Sequence, residues 1–399
     1  MKNQDIVIIG QQDWDIEIGS NCKNIALELS KDNRVLYINN PLDRRTILQR
    51  RKESKIKKRL ALLKNGNYTE QINENLWNLY PATVLESINW IHYKPIYRFL
   101  NKINNRRFAK AIQKAILQLG FHDYILFNDN LISRALYLDK LLQPSLKIYY
   151  LRDNLKGIAY FKNTMVEQEE LIHKWDMTFA NSDYLADYAR VYNPKSFMVG
   201  QGCDLSIFED ESLEVAQELR NLNQPIIGYT GYLTGLRLDI ALIEYLAKER
   251  PEWNIVLVGP EDKAFEASAL HSMSNVHFLG NKKPESLPRY IKAFSVAINP
   301  QLVNETTVGN YPRKIDEYLA MGKPVVATKT PFMDYFKAHT YLSSDKKEFI
   351  EAIGLALQEN STNKEQARKS FAKEHTWEKN VEKMYTLIEK NNSIIKGRK

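Results

Sequence analysis

The sequence predicts an α/β protein built from two Rossmann-like halves, and three observations carry that prediction. Short apolar runs alternate with amphipathic helical patterns along most of the 399 residues, the rhythm of parallel βαβ units. That rhythm stops at a polar, acidic stretch, residues 206–224, and starts again at Pro225. Near the end, two apolar strands at 295–300 and 323–327 enclose a polar loop and a short helix at about 313–321, stopped by Gly322 and Pro324. The expected layout is a first domain at 1–206, a linker at 207–224, a second domain at 225–372, and a terminal helix at 373–399 packing back on the first domain.

Composition narrows the function. A hydrophobic share of 44% supports substantial cores, and the formal net charge of +8 favours an anionic partner: phosphorylated substrates, an acidic membrane or nucleic acid. Cys22 and Cys203 are the only cysteines, so there is neither a disulfide framework nor a zinc cluster. Residues 1–5 lead straight into a short apolar strand, too short for a signal-peptide core, and no run approaches the roughly 20 apolar residues of a membrane span. These features predict a cytoplasmic protein whose membrane contact, at the inner face, is peripheral.

In the first half, residues 6–10 form a continuous apolar run, a strand buried on both faces. The loop at 11–20 carries Asp13, Trp14, Gly19 and Ser20; a helix at 21–31 and a strand at 35–39 complete a βαβ opening that lacks G-x-G-x-x-G. Residues 41–60 then concentrate basic side chains, among them Arg50, Arg51, Lys57 and Lys58, interleaved with Ile47, Leu48 and Ile56. Trp90, Ile91, Tyr93, Tyr97, Phe99 and Leu100 follow. This reads either as a solvated basic helix or as a surface for anionic lipid, where each basic residue contributes about 1 kcal/mol. Further strands are expected at 123–128, 147–152, 177–182 and 196–199.

The second half opens with a strand at 225–229, a Gly-containing turn at 230–235 and a helix at 237–248. Strands at 253–258, ending at Gly259, and at 276–280 follow, then a helix at 285–294. The loop and helix after the strand at 295–300 carry Thr306, Thr307, Asn310, Lys314 and Glu317. In a parallel sheet such a mouth is where ligands bind. Hydroxyls, an amide and a lysine suit a diphosphate, and a carboxylate can accept both hydroxyls of a ribose. The same stretch also reads as an ordinary helix start with an i,i+3 ion pair. Helices at 347–358 and 364–391 close the chain.

Five stretches carry a family resemblance: ANSDYLADYARVYNPKSFMVGQGCDLSIFE from Ala180, GYTGYLTGLRLDIALIEYLAKERPEWNIVLVGP from Gly228, NVHFLGNKKPESLPRYIKAFSVAINP from Asn275, YPRKIDEYLAMGKPVVAT from Tyr311, and HTWEKNVEKMY from His375. Together they resemble the GT-B fold glycosyltransferases of bacterial surface-polysaccharide synthesis, the teichuronic-acid branch in particular. The resemblance implies two Rossmann-like domains facing across a cleft, with a nucleotide-sugar donor, a UDP- or GDP-sugar, in the second. It implies Glu317 at the ribose, Lys314 and Asn310 at the diphosphate, and Thr306 and Thr307 near phosphate or sugar. Gly231 and Gly259 allow close approach, Arg237 adds charge, and Gly280 and Asn281 receive the base. Trp14, Gly19 and Ser20 belong to the acceptor side. Two departures stand out. The position eight before Glu317 is Gly309 where the family often has a second glutamate, and Tyr232 stands where it often has an arginine.

The implied reaction is metal-independent transfer of a hexosyl group to a saccharide or polyprenyl-linked acceptor, with no cofactor and no nucleic acid. Lys314 and Arg237 would stabilise the leaving diphosphate. An inverting reaction needs a base; Asp153, at the end of a strand, is the first candidate and Asp13 the second, Asp153 being equally suited to cap a helix. Two other readings use the same residues: an epimerase or phosphorylase on this fold, which would need a carboxylate and histidine set, and a non-catalytic binder of membrane or nucleic acid, whose affinity would fall steeply with salt. Of the seven histidines, His122, His173 and His277 read as structural.

Overall fold

The computed structural model describes residues 1–15, 21–155, 164–210, 212–305 and 307–396, with side chains to Asn391. The chain divides into two compact units: Met1–Gly200 with Asn380–Lys399, and Gln201–Lys379.

The first unit begins with β1 (Asp5–Ile9), α1 (Asn21–Leu29), β2 (Arg34–Ile38), β3 (Leu42–Asp43), α2 (Arg44–Arg50) and α3 (Ser54–Leu62). It continues with β4 (Tyr68–Asn73), β5 (Leu76–Tyr80), β6 (Val84–Leu85), α4 (Lys94–Leu119), β7 (Ile125–Asp129) and α5 (Leu138–Leu142). It ends with β8 (Leu146–Leu151), α6 (Met165–Lys174), β9 (Met177–Ala180), α7 (Asp183–Arg190) and β10 (Ser196–Met198). Eight strands form one sheet in the order β10-β9-β8-β7-β1-β2-β5-β4, while β3 and β6 pair separately. Every pairing in the large sheet is parallel except the β4–β5 hairpin. The order reverses at β1, which lies between β2 and β7. Continuous apolar runs such as Ile6–Ile9 are buried because helices cover both faces of a parallel sheet.

Residues 44–107, where the family resemblance is weakest, lead into the largest element that sequence reading left unassigned. Helix α4 is 26 residues long, with a proline in its first turn and Gly120 closing it in the left-handed region at φ 61°. Its buried stripe runs through Asn101, Asn104, Asn105, Phe108, Ala109, Ile112, Ala115 and Ile116. The first three are amides, so hydropathy does not reveal that face. Asn104 donates to Glu86 O and accepts from Glu86 N–H, and Asn101 donates to Ser133 O. These bonds satisfy loop backbone that burial would otherwise leave unpaired.

The second unit comprises β11 (Ile226–Thr230), α8 (Ile240–Glu249), β12 (Asn254–Val258), α9 (Lys263–Glu266), β13 (Val276–Phe278) and α10 (Leu287–Ala293). Next come β14 (Val296–Asn299), α11 (Lys314–Ala320), β15 (Val325–Thr328), β16 (Tyr341–Ser343), α12 (Lys346–Gln358) and α13 (Thr362–Lys373). Its six strands are all parallel, in the order β13-β12-β11-β14-β15-β16. Here the order reverses at β11, flanked by β12 and β14. Helix α14 (Trp377–Lys396) starts in this unit and continues into the first, where Asn380 donates to the carbonyls of Val199 and Gly200.

The stretch expected to be a linker is part of the second unit instead, and the division falls after Gly200. Its polarity is satisfied locally. Ala216 N–H donates to Arg289 O, Lys292 Nζ donates to Leu213 O, and Glu218 accepts from Lys282 and Tyr290. Phe208, Ala216 and Leu219 are buried. A few anchored apolar side chains are enough to fix a chain whose average composition looks like a tether.

Candidate functional site

In open parallel sheets, ligands bind beyond the carboxyl ends of the strands where the order reverses. In the second unit that place lies beyond β11 and β14. Gly231 follows β11 at φ 133° and donates its N–H to Val258 O at 2.8 Å. Gly259 follows β12 at φ 154°; a Cβ there would lie 1.9 Å from Gly231 O. The two strand ends therefore touch through backbone, which only glycine at 259 permits.

Helix α11 is tied to this turn. Tyr318 Oη accepts from Thr230 N–H at 2.8 Å, and the Lys314 ammonium lies 5.0 Å from the centre of the Tyr229 ring. A Cβ on Gly231 would stand 3.5 Å from Lys314 Nζ, so the ammonium is at the turn itself. Although part of Lys314 remains accessible, its charged end is enclosed. Burial pushes that ammonium down to about 8; Glu317 pulls it up, and Arg237 and Arg313 push it further down. Arg237 is exposed, yet its charge reaches Lys314 and Tyr229. A lysine held among other cations with one carboxylate nearby is poised for an anion.

Glu317 is only 12% exposed, and its partner is Arg313, four residues back at 3.3 Å, rather than Lys314 three back. The expected i,i+3 pair is thus replaced by an i,i+4 pair, and Arg313 joins the site without having been singled out in the sequence. Its position directly before Lys314, in Pro312-Arg313-Lys314, is the signal that could have found it. Thr307 is buried: its hydroxyl donates to Leu302 O and accepts from Asn304 N–H, so it shapes the loop. Asn310 is half-buried in that loop. Gly280 and Asn281 are exposed beyond β13, Gly280 at φ 66°. Thr306 lies outside the described residues.

Behind α11 sits a network that no local pattern announces. Asp316 is fully buried, accepts from Tyr311 Oη at 2.7 Å, and lies 2.6 Å from His375 Nδ1. His375 Nε2 in turn meets Tyr335 Oη at 2.9 Å. Burial pushes the Asp316 carboxyl up and the His375 contact pulls it back. The separation of 59 positions between the two partners explains why sequence reading missed the pair. His122, His173 and His277 instead make peripheral contacts: a backbone bond to Asp5, the Tyr192 carbonyl and Asn254.

In the first unit, a cavity of about 710 Å³ opens beyond the ends of β1, β2 and β7. Asp13, Asn40, Asp43, Asn104, Arg134 and Trp90 are among its lining residues. Asp13 Oδ2 pairs with Arg59 at 3.0 Å, while its Oδ1 is buried without a partner. Arg59 is 5% exposed, so this member of the basic segment turns inward. Trp14 also turns inward: it is buried, edge-on to Tyr37, and is not among the residues lining this cavity. Gly19 and Ser20 lie outside the described residues.

Asp153 lies elsewhere, beside a much smaller cavity with Gln168 and Tyr188. Its carboxylate is 3.4 Å from Arg152 Nη1, and the helix next described, α6, has Thr164 as its N-cap. The side chain is 38% exposed, and it is not brought together with Asp13 at one cavity. Sequence reading missed its neighbour Asp129, a fully buried carboxylate at the end of β7. Asp129 accepts from Arg152 Nε at 2.8 Å and Gln11 N–H at 3.3 Å. Burial pushes Asp129 above the usual carboxylate range while Arg152 pulls it back.

Of the expected lipid-facing cations, Arg50 is neutralised by two hydrogen bonds to Glu53 at 2.7 and 2.8 Å. Arg51, Lys57 and Lys58 are exposed and pair with no carboxylate among the described residues. Trp90, Tyr93, Ile96 and Phe99 are exposed around the start of α4, while Tyr97 turns inward to Ser133. No described helix is long and apolar enough to cross a membrane.

Two mainly parallel sheets, the second presenting a cationic, carboxylate-bearing turn where its strand order reverses, define an α/β protein of the GT-B fold. Residues 224–359, within the second unit, match the family described as Glycosyl transferases group 1. A Bacillus subtilis protein named as a teichuronic acid biosynthesis glycosyltransferase, TuaH, is 26% identical over 244 residues. That match covers 57% of this chain and 60% of the relative. Sucrose-phosphate synthase from Thermosynechococcus elongatus superposes with a TM-score of 0.68 at 13% identity, covering 98% of this chain and 100% of that one. HepE of Anabaena, in complex with UDP and glucose, gives 0.62 at 15% identity, with 97% and 99% covered.

Proposed function

We propose that the protein transfers a hexosyl group from a UDP-sugar to a saccharide carried on a lipid, in the synthesis of a cell-surface polysaccharide. The observation that carries this reading is the enclosed Lys314 ammonium at the Gly231 turn, with Glu317 one helical turn along. The diphosphate would lie against the Gly231 and Gly259 backbone, with Lys314, Arg237 and Arg313 taking up the charge that develops on the leaving group. Glu317 would accept hydrogen bonds from the ribose hydroxyls, and Gly280 and Asn281 would border the base. The UDP bound by HepE and the polysaccharide role in the name of TuaH support this choice of donor and pathway.

On the acceptor side the base is Asp13 rather than Asp153. Asp13 lines the larger cavity, keeps one oxygen unengaged, and is oriented by Arg59 through the other. In the transfer, the bond from the sugar's anomeric carbon to phosphate breaks, the acceptor oxygen bonds to that carbon, and its proton passes to Asp13. Trp90, Tyr93, Ile96 and Phe99, with Arg51, Lys57 and Lys58, suit an anionic bilayer surface at which a polyprenyl-linked acceptor would be met.

The test is a thermal-shift panel of UDP, GDP, dTDP and CMP on the wild type, Lys314→Ala and Glu317→Ala, since ligand binding to the folded state raises its apparent stability. UDP is expected to stabilise the wild type and neither variant. Equal shifts in all three proteins would sink the donor assignment. In parallel, the triple variant Arg51→Ala, Lys57→Ala and Lys58→Ala should lose binding to phosphatidylglycerol vesicles; unchanged binding removes the membrane element.

A further inference from the structure

Helix α11 carries Lys314 and Glu317, yet it is only seven residues long. A helix that short is unstable by itself, so its position is set by what ties it to the rest of the unit. Those ties include Tyr318 Oη, which accepts from Thr230 N–H, and Gly322 O just past the helix, which accepts from Arg368 Nε at 2.8 Å. They also include Asp316, held by Tyr311 and His375. At about 100° per residue, Asp316 stands roughly 160° around the helix from Lys314, whereas Glu317 stands only about 60° from that lysine. Asp316 therefore marks the back of the helix and the two donor-site residues its front.

His375 is held from outside α11. Its carbonyl accepts from Cys203 N–H at 2.8 Å, its Nε2 meets Tyr335 Oη at 2.9 Å, and Phe371 packs edge-on with 4.5 Å between ring centres. Its Nδ1 is 2.6 Å from Asp316 Oδ1, while Tyr311 Oη donates to Oδ2 at 2.7 Å. Both carboxylate oxygens are thus engaged, in a side chain that is 0% exposed. A buried pair of this kind gains little net stability, because desolvation offsets most of the attraction. What it does impose is one geometry, since any rotation of α11 would strip a buried oxygen of its partner. The same rotation would swing Lys314 and Glu317 away from the Gly231 turn.

We propose that His375 is a positioning residue for the donor site: through Asp316 it sets the rotation of α11, and so keeps the Lys314 ammonium and the Glu317 carboxylate aimed at one bound nucleoside diphosphate. It acts from the back of the helix and touches no substrate. The proposal rests on the reading of Lys314 and Glu317 as the donor site. A pair that only filled the core would support stability alone, whereas a positioning pair also sets affinity, and the two roles separate by measurement.

The experiment is calorimetric titration of UDP into the full chain, at a temperature where every variant is folded, with Tm recorded for each. His375→Leu fills the space without a donor and should weaken UDP binding about tenfold or more. His375→Asn, whose side-chain amide can place a donor near the position of Nδ1, should recover most of that affinity. Ile353→Ala, a core deletion on α12, should lower Tm and leave UDP affinity unchanged. Should His375→Leu fail to fold, the wild type carries the test. In protein with isotope-labelled histidine, the signal of the proton shared by His375 Nδ1 and Asp316, assigned by its loss in His375→Asn, should shift as UDP saturates the site. Wild-type affinity in His375→Leu, affinity that falls with Tm alike in His375→Leu and Ile353→Ala, or a shared-proton signal that ignores UDP would overturn the proposal and leave the donor reading standing. Failure of the wild type to bind UDP would remove the donor reading, and this proposal with it.

Discussion

The two units solve the same problem, holding charged groups at the carboxyl edge of a parallel sheet, with opposite use of the chain. In the second unit the charged groups are neighbours in sequence: Arg313, Lys314 and Glu317 lie within five residues, and their ion pair spans one helical turn. In the first unit they come from afar. Asp13 is held by Arg59, and Asp129 by Arg152 and Gln11, across separations of 46, 23 and 118 residues. A site made from one short stretch is legible as a motif. A site made from strand ends and a returning helix exists only once the sheet has formed.

The largest expected effect breaks this comparison on the acceptor side. Asp13→Asn should lower kcat about 10³-fold, within the range for loss of a general base, while Asp153→Asn should change it less than threefold. Steady-state transfer to a lipid-linked saccharide measures both. If Asp153→Asn is the damaging change, the cavity does not mark the acceptor site and the assignment reverses.

Next in size is a contrast in stability between the two kinds of ion pair. Arg152→Met leaves the buried Asp129 carboxylate unpaired and should cost about 3–5 kcal/mol at neutral pH, by urea denaturation. Asp129 has a folded-state pKa raised above its unfolded value, so its protonated form is favoured in the fold. Stability is therefore lost as pH rises from the unfolded value through the folded one, and the cost of Arg152→Met should shrink toward pH 5. Arg313→Ala, removing a half-exposed i,i+4 pair, should cost under about 0.5 kcal/mol. Similar costs for the two would mean that sequence separation does not track energetic weight here.

The smallest effect sharpens the donor side. The Lys314 ammonium, held at about 8 in the free protein, must be charged to meet a diphosphate. UDP affinity should fall about twofold between pH 7 and 8 and about fivefold more between pH 8 and 9, and Lys314→Arg should remove that dependence because a guanidinium stays charged. A pH profile unchanged in Lys314→Arg would assign the titration to another group.

The long-range half of the chain also shows where sequence reading fails. Helix α4 hides its buried face behind Asn101, Asn104 and Asn105, whose amides are satisfied by loop backbone that only the fold brings near. Trp14 looks like an acceptor-loop aromatic but packs on Tyr37. Arg50 looks like a membrane-facing cation but is bound by Glu53, three residues on and already adjacent in the sequence. The signal for that last pair was present and outweighed by the surrounding basic run.

What the sequence determined by itself is the succession of strands and helices, the restart of the fold at Pro225, and the charged stretch from Asn310 to Glu317. Apolar periodicity, glycine at positive φ and helical spacing are local properties, fixed within a few residues of one another. What tertiary structure decided is which groups share an environment: Arg59 on Asp13, Arg152 on Asp129, and His375 on Asp316. Those pairs rest on burial, and burial belongs to no residue until distant segments close over it and remove the water that would have screened the charges.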